Sequence, residues 1–318
     1  MNIVFLDRAT LGPSVKFPKP RFAHCWTEYP QTSPTQTSER LQAAHIAITN
    51  KVVIDEAVLN NCPHLKYIAV AATGTNVIDV DACQARNVVV ANVTDYATQD
   101  VAEHALMLML TLCKQLKAYQ QAIGEGEWQK SGQFCFFLDQ MPAIGSLHGK
   151  TLGLIGTGNI ARATARLATA LGMEVQYYSP SGRTEVGGGR CIILSHLLKT
   201  SDIVSVHCPL TDSTQHLIGA DELEIMKPSA LLVNTARGPI VDIDALIHAI
   251  NTGVIAGAGL DVLPQEPPAQ DSPIMQAAIN NPRMVITPHT AWASHNAMQT
   301  LANQLITKIE HFAALSPC

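Results

Sequence analysis

Short apolar runs alternate with helix-length amphipathic segments along nearly the whole chain. Runs of strand length stand at residues 3–6, 46–49, 67–71 and 88–91. They resume at 152–155, 174–178, 203–207, 231–234, 255–260 and 284–287. Continuous apolar runs separated by helix-length segments predict parallel sheets covered by helices on both faces. So many runs exceed one ordinary sheet, and the pattern predicts two doubly wound α/β domains.

The spacing breaks once. Residues 98 to about 122 read as one long helix carrying Val101, Ala105, Leu108, Met109, Leu112 and Leu116. Residues 124–149 then show little regular pattern and hold Trp128, Phe134, Phe136 and Phe137. A long irregular stretch with exposed aromatics is uncommon unless it binds something. It is read as an arm, about residues 120–149, that packs on a second subunit, with a lid over the chain's own site as the alternative. The last helix, residues 294–315, has the length to return to the first domain. The expected division is a discontinuous domain of 1–100 plus 292–318 and a second of 101–291.

The chain's 318 residues suffice for two cores. A net charge of -5 with no dense Lys/Arg cluster sets nucleic acid aside as a partner. Residues 1–7 read as a first strand rather than a targeting segment. The longest strongly apolar stretch, residues 105–113, is far short of the ~20 residues that span a membrane, so no membrane partner is expected. The 8 cysteines form no C-x-x-C pair. Scattered thiols in a reducing cytosol, with no metal site, are the plain reading, with disulfides or zinc as the alternative.

Chemistry enters at residues 152–161, where a strand runs into Gly156-Thr157-Gly158-Asn159-Ile160-Ala161 and a helix follows. Gly156 permits a tight turn, Gly158 lets the backbone approach a pyrophosphate, and the small Ala161 lets helix and strand pack closely. The helix N-terminus offers N–H groups to phosphates. A strand-to-helix turn without a ligand is the bland alternative. About twenty residues on, the next strand ends at Ser179, where a carboxylate usually meets the ribose of NAD. Ser179 and Ser181 can hydrogen-bond a 2′-phosphate and Arg183 can pair with it, which favours NADP(H) over NAD(H). A solvated loop is the alternative.

Three polar residues stand beyond the carboxyl ends of later strands: Arg237, Glu266 before two prolines, and His289. Each alone has a bland explanation as a surface Arg, a loop carboxylate or a structural His. Together they supply what carbonyl reduction needs. A protonated His donates to the developing oxyanion, a carboxylate orients the imidazole, and an Arg holds a substrate carboxylate.

These residues, with His207-Cys208-Pro209-Leu210-Thr211, Asn234-Thr235-Ala236-Arg237-Gly238, Gly259-Leu260-Asp261-Val262 and Pro288-His289, resemble the D-isomer-specific 2-hydroxyacid dehydrogenase family in order and spacing. The resemblance implies two Rossmann-like domains, a flavodoxin-like substrate domain and an NAD(P)-binding domain, with a cleft between them in a homodimer. Arg237, Glu266 and His289 would be catalytic. His207, Cys208, Pro209, Thr214, Thr235 and Ala236 would line the cofactor, with Asp261 near its carboxamide. Thr73 and Gly74 would bind the substrate carboxylate through backbone amides. Asp7-Arg8-Ala9-Thr10, Asn92-Val93-Thr94-Asp95-Tyr96 and the segment from His289 to Ser294 resemble the glycerate dehydrogenase / hydroxypyruvate reductase branch, acting on a small 2-oxo acid such as hydroxypyruvate or glyoxylate. Trp292 is read equally as a specificity residue or a core residue. Ala161 and Ser179 depart from the family pattern, and Ser179 puts an NAD assignment in doubt. The alternatives are a phosphoglycerate dehydrogenase-like enzyme, a formate- or phosphite-oxidising relative and a non-catalytic dinucleotide-sensing protein.

Overall fold

Successive residues of a strand point to opposite faces, so a run that is apolar at every position needs cover on both sides. The computed structural model describes residues 1–138, 144–187 and 189–315. It divides into two units, Met1–Ala97 with Trp292–Cys318 and Thr98–Ala291, and in each the apolar runs have become a parallel sheet.

The first unit opens with β1 (Asn2–Phe5), β2 (Cys25–Glu28), α1 (Thr37–Leu41), β3 (Ile46–Thr49) and α2 (Glu56–Asn60). It continues with β4 (Tyr67–Val70), α3 (Val80–Ala85) and β5 (Val89–Asn92). Strand order is β2-β1-β3-β4-β5, all parallel. Val4, Leu6, Ala47, Ile68 and Val70 face one side and pack with Leu41, Val58, Leu59 and Cys83. Asp55 and Asp79 cap α2 and α3 by accepting from backbone N–H groups three residues on, which fixes where each helix begins. Asp7 is buried just beyond β1 and accepts from the amides of Asn50, Lys51 and Val52, tying the ends of β1 and β3. The apolar pattern does not reveal β2. Its Cys25, Thr27 and Glu28 are exposed on the sheet edge, where one face need not be apolar.

The second unit holds α4 (Thr98–Cys113), α5 (Leu116–Gly124), α6 (Glu127–Ser131), β6 (Thr151–Ile155), α7 (Asn159–Ala170) and β7 (Glu174–Tyr178). Then come β8 (Glu185–Val186), β9 (Gly189–Arg190), α8 (Leu194–Thr200), β10 (Ile203–Val206), α9 (Ala220–Ile225) and β11 (Leu231–Asn234). It closes with α10 (Ile243–Thr252), β12 (Gly257–Leu260), α11 (Pro273–Asn280) and β13 (Met284–Ile286). The parallel order is β13-β12-β11-β10-β6-β7. A bridge from Tyr177 to Cys191 extends it past β7. The chain therefore reverses direction across the sheet between β6 and β10, the topological switch point where open α/β sheets bind ligands.

The single helix expected over residues 98 to 122 is two helices. Gln115 takes a left-handed conformation, φ 54°, and α5 leaves on a new axis. Two contacts need that break. Gly145 donates its N–H to the Cys113 carbonyl at 3.0 Å, so the returning chain occupies the space ahead of α4. Lys117 Nζ on α5 reaches the carbonyl of Ala278 in the last turn of α11 and those of Asn281 and Met284 beyond it. The stretch expected to be irregular contains the short α6, and its residues 139–143 lie outside the described residues.

The chain ends in the first unit with α12 (His295–Leu315). Its Met298, Leu301, Leu305 and Ile309 cover the second face of that unit's sheet, against Ile3, Phe5, Ile46, Ile48 and Ala69.

Candidate active site

The loop after β6 is shaped by what it cannot hold. Gly156 has φ 119°, and a Cβ there would stand 2.6 Å from the His207 carbonyl oxygen, across the switch point. Only glycine lets the ends of β6 and β10 come this close. A Cβ on Gly158 would meet nothing within 4 Å, so space lies open in front of it. Gly158 is the N-cap of α7 and has no side chain to satisfy the helix's first N–H groups. Thr157 is buried, Asn159 and Ile160 form the first turn, and Ala161 is buried against the sheet. Open space before the N-terminus of a helix suits a phosphate.

Ser179 follows β7 and is buried. Its Oγ lies 3.1 Å from Ser181 Oγ and accepts from the Arg183 backbone N–H at 3.2 Å. Ser181 and Arg183 are exposed. The loop is thus a small turn with a guanidinium on its outer side, next to the glycine turn.

Beyond β10, burial pushes the His207 imidazole down to about 4, and its Nε2 lies 2.9 Å from Ser205 Oγ. Cys208 is buried, and burial lifts its thiol to about 11, so it acts as an apolar wall. Pro209 is exposed. Thr214 Oγ1 donates to the Pro209 carbonyl at 2.8 Å and accepts from the Thr211 N–H at 2.7 Å, closing this loop on itself.

The β11 loop is organised by Asn234, whose side chain accepts from the Ala236 N–H and donates to the Arg237 carbonyl, both at 2.9 Å. Thr235 Oγ1 is buried with no hydrogen-bond partner among the described residues. Such a group costs free energy unless something bonds it. Arg237 is half-buried, and its Nη1 donates to the Ala236 carbonyl at 2.6 Å. Gly238 is needed next, because a Cβ there would run into the backbone of Leu263 and Pro264. The Arg237 loop thereby lies directly on the loop that carries Glu266.

Glu266 precedes a cis peptide to Pro267. Its Oε1 accepts from the Leu263 N–H at 2.8 Å, and its Oε2 lies 2.5 Å from His289 Nδ1. A carboxylate only accepts, so Nδ1 carries the hydrogen and Nε2 is the nitrogen left for other work. His289 itself sits in the left-handed region, φ 54°, which costs a non-glycine residue roughly 1–2 kcal/mol. Its N–H donates to the Asp261 and Thr287 carbonyls at 2.9 and 3.0 Å. The buried Asp261 carboxylate accepts from Thr287 Oγ1 at 2.6 Å and from the Thr290 and Ala291 amides, each at 2.9 Å. Hydrogen bonds to a charged group contribute about 1.5–3 kcal/mol each, enough to offset that backbone cost.

A further residue joins this cluster that the sequence reading does not single out. His104 on α4 has Nε2 at 2.8 Å from Thr287 Oγ1 and 3.4 Å from Asp261 Oδ1. It stands among the apolar positions of a long helix, where a lone His carries no distinguishing signal.

In the first unit, the Thr73–Gly74 loop follows β4. Thr73 Oγ1 donates to the Val93 carbonyl at 3.1 Å, and Asn92 Nδ2 donates to the Thr73 carbonyl at 2.5 Å. Trp292 is half-buried against the core, with its ring edge-on to Tyr96 at 6.2 Å.

The second unit thus gathers Arg237, Glu266, Asp261 and His289 beyond three adjacent strands, β11, β12 and β13. The glycine turn lies beyond β6 in the same sheet. Among the described residues, no group of three or more His, Cys, Asp or Glu side chains could hold a metal ion, and no helix is long and apolar enough to cross a membrane. A dinucleotide fits the residues present: open space lies at Gly158 before the N-terminus of α7, and the buried Thr235 hydroxyl has no hydrogen-bond partner among the described residues.

Residues 106–291 match the family model described as D-isomer specific 2-hydroxyacid dehydrogenase, NAD binding domain. The chain is 42% identical over 317 residues to a glycerate dehydrogenase of Methylorubrum extorquens, covering 99% of this chain and 97% of that one. It is 34% identical over 324 residues to a hydroxypyruvate reductase of Blautia hydrogenotrophica, covering 100% and 98%. Among solved structures, it resembles an NADPH-dependent glyoxylate/hydroxypyruvate reductase of Sinorhizobium meliloti. The TM-score is 0.81 at 26% identity, covering 99% of this chain and 95% of that one.

Proposed function

The chain belongs to the D-isomer specific 2-hydroxyacid dehydrogenase family, and from that premise we propose that it reduces a small 2-oxo acid, hydroxypyruvate or glyoxylate, to the D-2-hydroxy acid or glycolate. The observation that carries this reading is the 2.5 Å pair of Glu266 Oε2 and His289 Nδ1, beside the loop of Arg237.

Each group has a task. The Arg237 guanidinium pairs with the substrate carboxylate and polarises the carbonyl. On this reading Thr73 and Gly74 of the substrate domain would offer backbone amides to a substrate carboxylate, and Trp292 would serve substrate choice. Bound nicotinamide supplies the hydride that adds to the carbonyl carbon. His289 Nε2, protonated, gives its hydrogen to the carbonyl oxygen, so hydride and proton together make the C–H and O–H of the alcohol. The imidazole then regains a proton from solvent. In the reverse direction neutral Nε2 accepts the alcohol proton. Glu266 holds the tautomer and ring orientation throughout.

For the cofactor, the unit Thr98–Ala291 is the nucleotide-binding domain and the other unit the substrate domain. Gly156, Thr157, Gly158, Asn159 and Ile160 would hold the pyrophosphate. His207, Cys208, Pro209, Thr214, Thr235 and Ala236 would line the nucleotide, and Asp261 would serve its carboxamide end. We infer a preference for NADP(H) over NAD(H). It is supported by Arg183, exposed beside a turn whose Ser179 and Ser181 hydroxyls carry no negative charge to repel a 2′-phosphate. The enzyme works as a cytoplasmic homodimer through the arm of residues 120–149. That reading is supported by the exposure of Phe134 at 93% and Phe137 at 65%, apolar surface that a second subunit would cover.

The test follows reduced-cofactor absorbance with hydroxypyruvate and glyoxylate, NADPH and NADH side by side. Oxidation of NADPH in preference to NADH supports both readings. Equal rates or an NADH preference overturns the 2′-phosphate assignment. Failure to oxidise either, by folded protein that binds one of them, overturns the proposed reaction.

A further inference from the structure

We propose that His104, on α4, is a positioning residue for the acid–base pair, holding the His289 loop in its left-handed form through Thr287 and Asp261. The proposal rests on the reading of His289 given above.

Hydrogen counting fixes the direction of the chain of bonds. Asp261 accepts only, so Thr287 spends its one hydroxyl hydrogen on Asp261 Oδ1, at 2.6 Å. The 2.8 Å contact between Thr287 Oγ1 and His104 Nε2 must then be donated by His104. The same Nε2–H lies 3.4 Å from Asp261 Oδ1. His104 therefore presents a hydrogen at Nε2, aimed at the base of the His289 loop. Its side chain is 15% exposed and Asp261 is 1% exposed, so water competes little for these bonds.

The loop needs such support. Thr287, Thr290 and Ala291 all bond the Asp261 side chain, and the His289 N–H bonds its carbonyl. One residue thus anchors both the backbone that carries the imidazole and the backbone after it. His104 brings α4 into this network, donating to Thr287 Oγ1 and standing beside Asp261 Oδ1, the oxygen that also accepts from Thr287 and Thr290. Burial pushes the His104 imidazole down from its ordinary value while the Asp261 carboxylate pulls it up. The imidazolium and the Nε2–H tautomer of the neutral ring both carry the hydrogen that these bonds need. A ring moved by about 1 Å can lose up to ~100-fold in rate while substrate binding is spared.

Two substitutions separate a donor from a space-filler. His104→Leu keeps the volume and removes the hydrogen, whereas His104→Gln can return an N–H near the Nε2 position. With hydroxypyruvate and NADPH, His104→Leu should lower kcat about 10-fold or more, with KM and the NADPH Kd within ~2-fold of wild type. His104→Gln should recover most of the loss. Hydrogen–deuterium exchange of residues 287–291 should quicken in His104→Leu and return toward wild type in His104→Gln. Wild-type kcat in His104→Leu, or equal losses in both variants, overturns the proposal. If the wild-type protein turns over no 2-oxo acid, the functional reading falls. The exchange rates still decide the positioning role: unchanged exchange in His104→Leu overturns it.

Discussion

Two loops leave the carboxyl edge of the second unit's sheet and are built in opposite ways. The loop after β6 works by absence. Gly156 withdraws a Cβ that would strike the His207 carbonyl, and Gly158 leaves space with nothing in it. The loop after β13 works by added bonds. His289 occupies a backbone region that side chains avoid, and Asp261, Thr287 and His104 hold it there. A ligand whose phosphates need room is served by the first construction. A proton donor that must point one way is served by the second.

The largest effect should come from the second loop. His289→Ala removes the proposed proton donor, and kcat for hydroxypyruvate should fall about 1,000-fold with cofactor affinity nearly unchanged, by steady-state rates and fluorescence titration. The next largest tests the first loop. Gly156→Ala forces a Cβ against backbone at φ 119°, so the melting temperature should drop by about 5 °C. Gly158→Ala meets no protein atom within 4 Å and should melt within ~1 °C of wild type while NADPH binds about 10-fold more weakly. If the two glycine variants behave alike, the division between protein packing and ligand space is wrong.

How much of this is legible in the chain follows the same division. The glycine turn is local: strand, two glycines and helix stand within about a dozen residues, and each glycine's task follows from its place in the turn. Glu266 and His289 are separated by 23 residues, but each follows a readable strand, so their meeting is foreseeable. His104 and Thr287 are 183 residues apart, and nothing local to α4 marks His104 as different from a core residue. Gln115 shows the limit in the fold. The apolar spacing runs unbroken from α4 into α5, and only the distant partners of Cys113 and Lys117 explain the turn between them. Strand β2 escapes notice because its exposed edge residues are polar.

Two smaller effects come from the loops that flank the first, after β7 and β10. Arg183→Ala should raise KM for NADPH about 10-fold and leave KM for NADH within ~2-fold, since only NADPH carries the 2′-phosphate. Finally, the His207 imidazole is pushed down to about 4 by burial, against 6.5 for the free side chain. Between those values the unfolded chain binds a proton that the folded chain excludes. Stability from this group is therefore complete above about pH 6.5 and declines as pH falls toward 4. His207→Gln should reduce the fall in melting temperature between pH 7 and pH 5 by about 2–4 °C.

The most direct test of the central claim is the product itself. Hydroxypyruvate and NADPH are incubated with wild-type protein and with His289→Ala, and the glycerate formed is resolved by chiral chromatography. D-glycerate from wild type alone is the result expected here. L-glycerate, a racemate, or the same yield from the variant would contradict the assignment of His289 as the proton donor of a D-specific reductase.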